Sequence, residues 1–129
     1  MTKKSISSTN APSPVGPYSP ALIWENMVFI SGQGPLDPKT MKTVGGDIKK
    51  QTRQVFENID SLLRESRSRR EDVLKVTVYL TDLKDFSDMN EVYAEFFKGC
   101  VFPTRTTIQA AALPSDIDVE IDVIAYISK

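Results

Sequence analysis

Apolar residues recur along this chain with two different spacings, and each spacing predicts one kind of element. In residues 73–80 (VLKVTVYL), Val76, Val78 and Leu80 alternate with less apolar positions, which is typical of a strand with one buried face. Further strands are predicted at 21–24, 27–31, about 105–110 and 118–127. The segment 27–30 (MVFI) is apolar at every position, which predicts a strand buried on both faces.

Helical spacing is found in two segments between these strands. Asp47 is a suitable N-cap for a long amphipathic helix over 47–66. Its apolar face is formed by Ile48, Val55, Ile59, Leu62 and Leu63. Asp85 is expected to cap a second helix, which ends near Gly99. We interpret the apolar stripe of that helix as core; it consists of Phe86, Met89, Tyr93, Phe96 and Phe97.

Prolines and glycines mark the segments between these elements. Four prolines within residues 1–20 predict an extended or turning arm, which leaves room for one more strand. Residues 31–40 (SGQGPLDPKT) are interpreted as a loop, and the G-x-G within them as a turn, because a phosphate loop would need a further Gly and a Lys-Ser/Thr pair. The order β-β-α-β-α-β-β predicts one α+β domain over 1–129, with a sheet covered by helices on one face.

Composition narrows the function classes. The net charge of −1 argues against a nucleic-acid-binding protein, and no apolar run is long enough for a membrane helix. The single cysteine, Cys100, excludes an intramolecular disulfide and suits a reducing compartment, so a cytoplasmic location is expected. The chain has no histidine, which removes Ser-His and Cys-His nucleophile pairs and the common zinc sites.

One arginine cluster needs separate interpretation. Arg64, Arg67, Arg69 and Arg70 follow the apolar face of the first helix. They can be a patch for nucleic acid, or solvated cations at the negative end of the helix dipole. We favour the second interpretation.

Two charged residues stand out in the last two predicted strands. Arg105 opens the first, on the same face as Thr107 and Gln109, and Glu120 lies on the polar face of the second. Both can be ordinary exposed charges. Alternatively, the Arg105 guanidinium binds a carboxylate with two parallel hydrogen bonds, and Glu120 holds or deprotonates a water molecule beside it. Spacing alone leaves both interpretations open.

Four segments decide the family that this sequence resembles. They are PTRTTIQAAALPSDIDVEIDVIA (103–125), GPYSPA (16–21), FISGQGPLDP (29–38) and MNEVYAEFF (89–97). Together they resemble the signature of the RidA/YjgF family of enamine/imine deaminases, in the family's order and over almost the whole chain. Pro20 departs from the family pattern, where glutamine is usual, and so do Gln109 and Ala111.

The resemblance implies a fold and an assembly. The expected fold is chorismate-mutase-like (the YjgF fold), a mixed β-sheet with two helices on one face. Three such sheets would meet in a homotrimer with a central barrel, and the active clefts would lie between subunits. Burial of the second face of 27–30 would then be supplied by the trimer.

The resemblance also implies an activity: hydrolysis of 2-aminoacrylate-class enamines and imines to a 2-keto acid and ammonia, without cofactor or metal. Arg105 matches the carboxylate-binding arginine and Glu120 the glutamate that positions water. Tyr18 and Ser31 match cleft residues, and Thr107 stands where many members carry cysteine. The alternatives are a non-catalytic trimer that binds small carboxylates such as 2-keto acids and, least favoured, RNA cleavage or translational inhibition.

Overall fold

In the part of the chain that the structure describes, six strands form one mixed sheet, and two helices pack against one of its faces. The computed structural model describes residues 2–129. The strands are β1 (Lys4–Ile6), β2 (Ala21–Trp24), β3 (Met27–Gln33), β4 (Val73–Leu80), β5 (Thr104–Gln109) and β6 (Val119–Tyr126). The helices are α1 (Ile48–Glu65) and α2 (Phe86–Phe96). The order of elements confirms the prediction, including the additional strand in the N-terminal arm.

The sheet has the strand order β1-β2-β3-β6-β4-β5. Neighbouring strands are antiparallel except β4 and β5, which run parallel and are joined through α2. A parallel pair requires such a crossover, because its two strands start at the same end of the sheet. The mixed sheet with helices on one face is the fold class that the sequence predicts.

The core lies between the sheet and the helices. Alternate side chains of β4 and β6 are buried there: Val76, Val78, Leu80, Val119, Ile121, Val123 and Ala125. They meet the apolar face of α1, which contributes Val55, Ile59, Leu62 and Leu63. Burial of each large aliphatic side chain stabilises the fold by about 1.5–3 kcal/mol.

No helix formed by residues 2–129 covers the second face of the sheet, and we call it the open face. By register it carries the alternate residues of β2 to β6, among them Trp24, Phe29, Thr77, Tyr79, Ile108, Glu120, Asp122 and Ile124. Three of its large apolar side chains are exposed in the single chain: Trp24, Phe29 and Ile108.

Both helices begin where the sequence predicts, but only α1 has the predicted side-chain cap. The Asp47 carboxylate accepts a hydrogen bond of 2.9 Å from the Lys50 N–H, as predicted for an N-cap. Asp85 occupies the N-cap position of α2, as predicted, but its side chain makes no capping hydrogen bond within residues 2–129, so the predicted side-chain cap is wrong. A 3₁₀ turn over Leu83–Asp85 leads into the helix, and Asp82 caps this turn instead by accepting from the Lys84 N–H.

Three further expectations are corrected by the burial pattern. The 27–30 segment is not buried on both faces within one chain, because Phe29 points to the open face and is 40% exposed. The apolar stripe of α2 is not all core either: Phe86, at its start, is 39% exposed. The SGQG segment is not a turn from its beginning, since β3 continues through Gln33.

The arginine cluster is largely neutralised by neighbouring carboxylates. Arg64 pairs with Asp60 at 2.9 Å, Arg69 with Asp72 at 3.3 Å and Arg70 with Glu71 at 3.1 Å. Ion pairing of this kind lowers the positive potential that phosphate binding requires. The geometry therefore favours the interpretation as solvated, paired cations.

Candidate active site

Glu120 lies on the open face of β6, directly across from Tyr79 of β4. On its other side it lies against Gly32 of β3: a Cβ atom at Gly32 would stand 2.6 Å from the carboxylate oxygen Oε2. Only a glycine leaves room for the carboxylate in this position. Burial raises the pKa of Glu120, and the nearby Asp122 carboxylate raises it further. A carboxyl group with a raised pKa can exchange protons closer to neutral pH.

A cleft of about 310 Å³ opens beside Glu120. Tyr18 and Ser31, two of the predicted site residues, line it together with Glu120. Its walls come from two loops, one following β3 and one preceding β6. They are lined by Gly34, Leu36, Pro114, Ser115 and Ile117.

Both predicted cleft residues from the N-terminal half are held by local hydrogen bonds. The Ser31 hydroxyl donates to the Ser19 carbonyl at 2.7 Å, and the Ser31 N–H donates to the Pro20 carbonyl at 3.0 Å. The Tyr18 hydroxyl accepts from the Val15 N–H at 3.3 Å, which folds the arm back over its own ring. These bonds fix the arm at the mouth of the cleft despite its four prolines.

Arg105 faces the other side of the sheet, toward α2. Its Nη1 donates to Asn90 Oδ1 at 2.8 Å. The guanidinium carbon lies 4.6 Å from the Tyr93 ring centroid and 5.5 Å from that of Phe86. Stacking on two rings and a hydrogen bond hold the guanidinium in one orientation, while a guanidinium has five N–H donors in total. The remaining donors are available to an anion.

Thr107 follows Arg105 on the same face of β5. Its hydroxyl oxygen is buried and has no hydrogen-bond partner within residues 2–129. A buried hydroxyl without a partner is costly unless a ligand or another chain completes it.

The predicted residues therefore fall into two groups. Tyr18, Ser31 and Glu120 share one cleft, whereas Arg105 and Thr107 lie on the helix-covered side of the edge strand. The register makes this separation unavoidable: Arg105 pairs with the buried Val76, and Glu120 pairs with Tyr79 of the open face. Within one chain, the carboxylate and the guanidinium cannot act on the same small molecule.

Sequence reasoning missed two contributors. Asn90 holds Arg105, but it is not a member of the apolar stripe of α2, and the sequence assigned it no role. Its position one helical turn after Phe86 was the available signal. Gly32 makes room for Glu120, and its G-x-G context was interpreted as a turn. Sequence offers no signal for that contact, because it joins strands 88 positions apart.

Comparison with known proteins decides the family. The family model described as Endoribonuclease L-PSP matches residues 8–127. A RutC family protein of Pyrococcus horikoshii is 52% identical over 124 residues, which cover 96% of this chain and 98% of that protein. The chain belongs to the RidA/YjgF family.

Solved structures agree with this assignment. RidA from an Antarctic Psychrobacter superposes with a TM-score of 0.92 at 43% identity, covering 96% of this chain and 99% of that one. TdcF of E. coli, solved with bound serine, superposes with a TM-score of 0.93 at 38% identity, covering 97% and 99%. The resemblance drawn from the four sequence segments is thereby confirmed, and the RidA/YjgF fold with it. Within residues 2–129 no helix has the length and apolarity that crossing a bilayer requires.

Proposed function

We propose that this RidA/YjgF protein is a 2-iminobutanoate/2-iminopropanoate deaminase, which hydrolyses reactive enamines and imines of the 2-aminoacrylate class. The observation that carries the proposal is Glu120: a half-buried carboxylate with a raised pKa, packed on Gly32 and lining a cleft of about 310 Å³ that has room for a small imino acid. A surface carboxylate without a role would have no need of such a fit.

In the proposed reaction the imine carbon is already electrophilic, so no side-chain nucleophile is needed. Arg105 binds the substrate carboxylate through its remaining N–H donors and thereby fixes the C=N carbon. Glu120 orients a water molecule and accepts its proton as the oxygen bonds to that carbon. Glu120 then returns this proton to nitrogen, which gives a carbinolamine with one hydroxyl and one amino group on the former imine carbon. In the second step Glu120 accepts the hydroxyl proton and delivers it to the amino group as the C=O bond forms and the C–N bond breaks, so ammonia and the 2-keto acid leave and Glu120 is again a carboxylate. This sequence consumes one water and requires no cofactor.

The reaction requires Arg105 and Glu120 to meet, and we propose that a homotrimer achieves this. The open face exposes Trp24, Phe29 and Ile108 in the single chain, and association through this face would remove these apolar side chains from water. Packing three such faces around a central barrel would place the Arg105 edge of one subunit beside the Glu120 cleft of the next. The unpartnered Thr107 hydroxyl would then have a neighbour as well.

A second candidate is a trimer that binds small carboxylates without converting them. The observation in its favour is that the Arg105 frame of Asn90, Tyr93 and Phe86 is complete within one chain and does not involve Glu120. The related TdcF structure holds serine, a small amino acid with a carboxylate. RNA as a substrate is less favoured, because the arginine cluster is paired.

The test is keto-acid release from 2-aminoacrylate generated in place by a dehydratase. Wild type is compared with Arg105→Ala and Glu120→Gln over the spontaneous rate of hydrolysis. The deaminase proposal expects acceleration by wild type and none by either variant. Wild type at the spontaneous rate, with keto-acid binding that depends on Arg105 alone, would favour the binding protein. A cytoplasmic location stays a prediction.

A further inference from the structure

Asn58 is a fully buried amide on α1 whose side chain contacts the loop that follows β3 (residues 34–36). We call this loop the first wall of the cleft. The Asn58 Nδ2 donates to two backbone carbonyls, Gly34 at 3.1 Å and Leu36 at 2.9 Å. Its Oδ1 accepts from Gln54 Nε2 at 3.0 Å. The side chain is 0% exposed, and both donors and the acceptor are in use.

Gln51 lies seven residues earlier on the same helix and contacts the loop that precedes β6 (residues 113–118). We call this loop the second wall of the cleft. The Gln51 Nε2 donates to Asp118 Oδ2 at 2.8 Å and to the Gly46 carbonyl at 3.3 Å. Its Oε1 accepts from the Asp118 N–H at 3.1 Å. Asp118 is two residues from Glu120, so this pair of bonds fixes the point where β6 begins.

The second wall needs such a restraint. Ser115 and Asp116 both adopt positive φ, 63° and 56°, a conformation that costs free energy in residues other than glycine. The two walls also touch each other, because Ile117 packs so closely on Gly34 that an added Cβ would stand 2.8 Å from the Ile117 Cδ1. A displacement of either wall would therefore reach the other.

We propose that Gln51 and Asn58 are positioning residues, which hold the two walls of the cleft in place around Glu120. This inference rests on the proposed function for its catalytic meaning. Residues seven apart lie two turns apart on the same face of a helix, so α1 presents both amides to the cleft from one rigid element. The walls keep bulk water away from the Glu120 carboxylate and keep the cleft in a shape that fits the substrate.

Gln51→Met and Asn58→Leu test the proposal, since both keep the side-chain volume and remove the amide. Thr52→Val is the matched control: Thr52 is also buried on α1, but within residues 2–129 its hydroxyl donates to the Ile48 carbonyl of the same helix and to neither wall. Hydrogen exchange is followed in segments 33–37 and 113–118. Relative to wild type, we expect exchange to be about tenfold faster in 113–118 for Gln51→Met and in 33–37 for Asn58→Leu. Thr52→Val should exchange at the wild-type rate in both segments.

A pH profile of kcat/KM adds a readout that a loss of folded protein cannot produce. Opening a wall hydrates Glu120, so the acid limb should move to lower pH in Gln51→Met, while Thr52→Val keeps the wild-type profile. The other titratable groups that face Glu120 are Asp122 of β6, Tyr79 of β4 and Tyr18 across the cleft, with Lys75 near Asp122. All of them are unchanged in the variants.

The two proposals fail separately. A wild-type enzyme without deaminase activity removes the proposed function, yet hydrogen exchange still decides whether the amides hold the walls. If Gln51→Met and Asn58→Leu exchange in segments 33–37 and 113–118 at the same rates as Thr52→Val, the inference is overturned, whatever the activity of the wild type. Where Gln51→Met or Asn58→Leu fails to fold, Gln51→Glu and Asn58→Asp replace them, because each keeps the size of the side chain and removes the N–H donors to the wall. The same segment-specific exchange is expected from them, and its absence contradicts the inference.

Discussion

Arg105 and Glu120 lie on opposite faces of one sheet. Arg105 is in register with Val76, whose side chain is in the core under the helices, and Glu120 is in register with Tyr79 of the open face. The two residues that we propose to be catalytic are therefore held by different parts of the chain. Arg105 is held against the rings of Tyr93 and Phe86, and Glu120 is held against Gly32. A functional site that uses both needs two copies of the chain.

The orientation of Arg105 should matter as much as its charge. We expect Arg105→Lys to lower kcat/KM by about 10²-fold, because an ammonium group cannot form two parallel hydrogen bonds to a carboxylate. Asn90→Ala should raise KM by about fivefold and leave kcat close to wild type, since it removes one bond that holds the guanidinium. Steady-state kinetics on 2-aminoacrylate measure both effects. Equal kinetics of Arg105→Lys and wild type would rule out bidentate binding.

Gly32→Ala tests the contact under Glu120. The new Cβ would stand 2.6 Å from Glu120 Oε2, so the carboxylate must move, and we expect kcat/KM to fall by about 10²-fold. Gly45→Ala is the control, because among the described residues, chain neighbours apart, no heavy atom lies within 4 Å of a Cβ at that position. It should leave activity unchanged. If both alanine variants keep wild-type kinetics, the position of Glu120 is not important for the reaction.

Glu120 should also reduce stability at neutral pH. Its raised pKa means that the folded state favours the protonated form, so its contribution to stability is present below the ordinary glutamate pKa and is lost as pH rises through the folded value. Glu120→Gln stays neutral throughout. Its melting temperature should therefore exceed that of wild type at pH 8, and the difference should vanish near pH 4 and below.

Thermal unfolding at several pH values measures this difference. Glu65→Gln, the same substitution at an exposed position of α1, is the matched control and should follow wild type. A Glu120→Gln protein less stable than wild type at pH 8 would mean that the carboxylate is stabilised rather than strained in its place.

Local pattern was sufficient for most of the fold. Alternation in 73–80 and helical spacing from Ile48 to Leu63 predicted β4 and α1, because in both elements one buried face imposes a regular period. The Asp47 cap was predictable because its partner is three residues away. The side-chain cap predicted for Asp85 does not form, because a 3₁₀ turn over Leu83–Asp85 precedes the helix and Asp82 caps that turn.

The site was less predictable, because its contacts are not local. Ser31 and Tyr18 were named from the family resemblance and not from any period. The dependence of Glu120 on Gly32, and of Arg105 on Asn90, arises only when distant elements pack. The separation of Arg105 from Glu120 follows from strand register, which hydrophobic alternation in two separate segments does not define.

The central claim is that two chains build each site, and subunit complementation tests it most directly. Arg105→Ala and Glu120→Gln, each inactive alone, are unfolded together, refolded at equal amounts and assayed for keto-acid release. In randomly mixed trimers about one site in four combines an intact Arg105 from one subunit with an intact Glu120 from the next. The account predicts recovery of about a quarter of wild-type activity. A mixture as inactive as its two components, under conditions where wild type refolds to full activity, would contradict it.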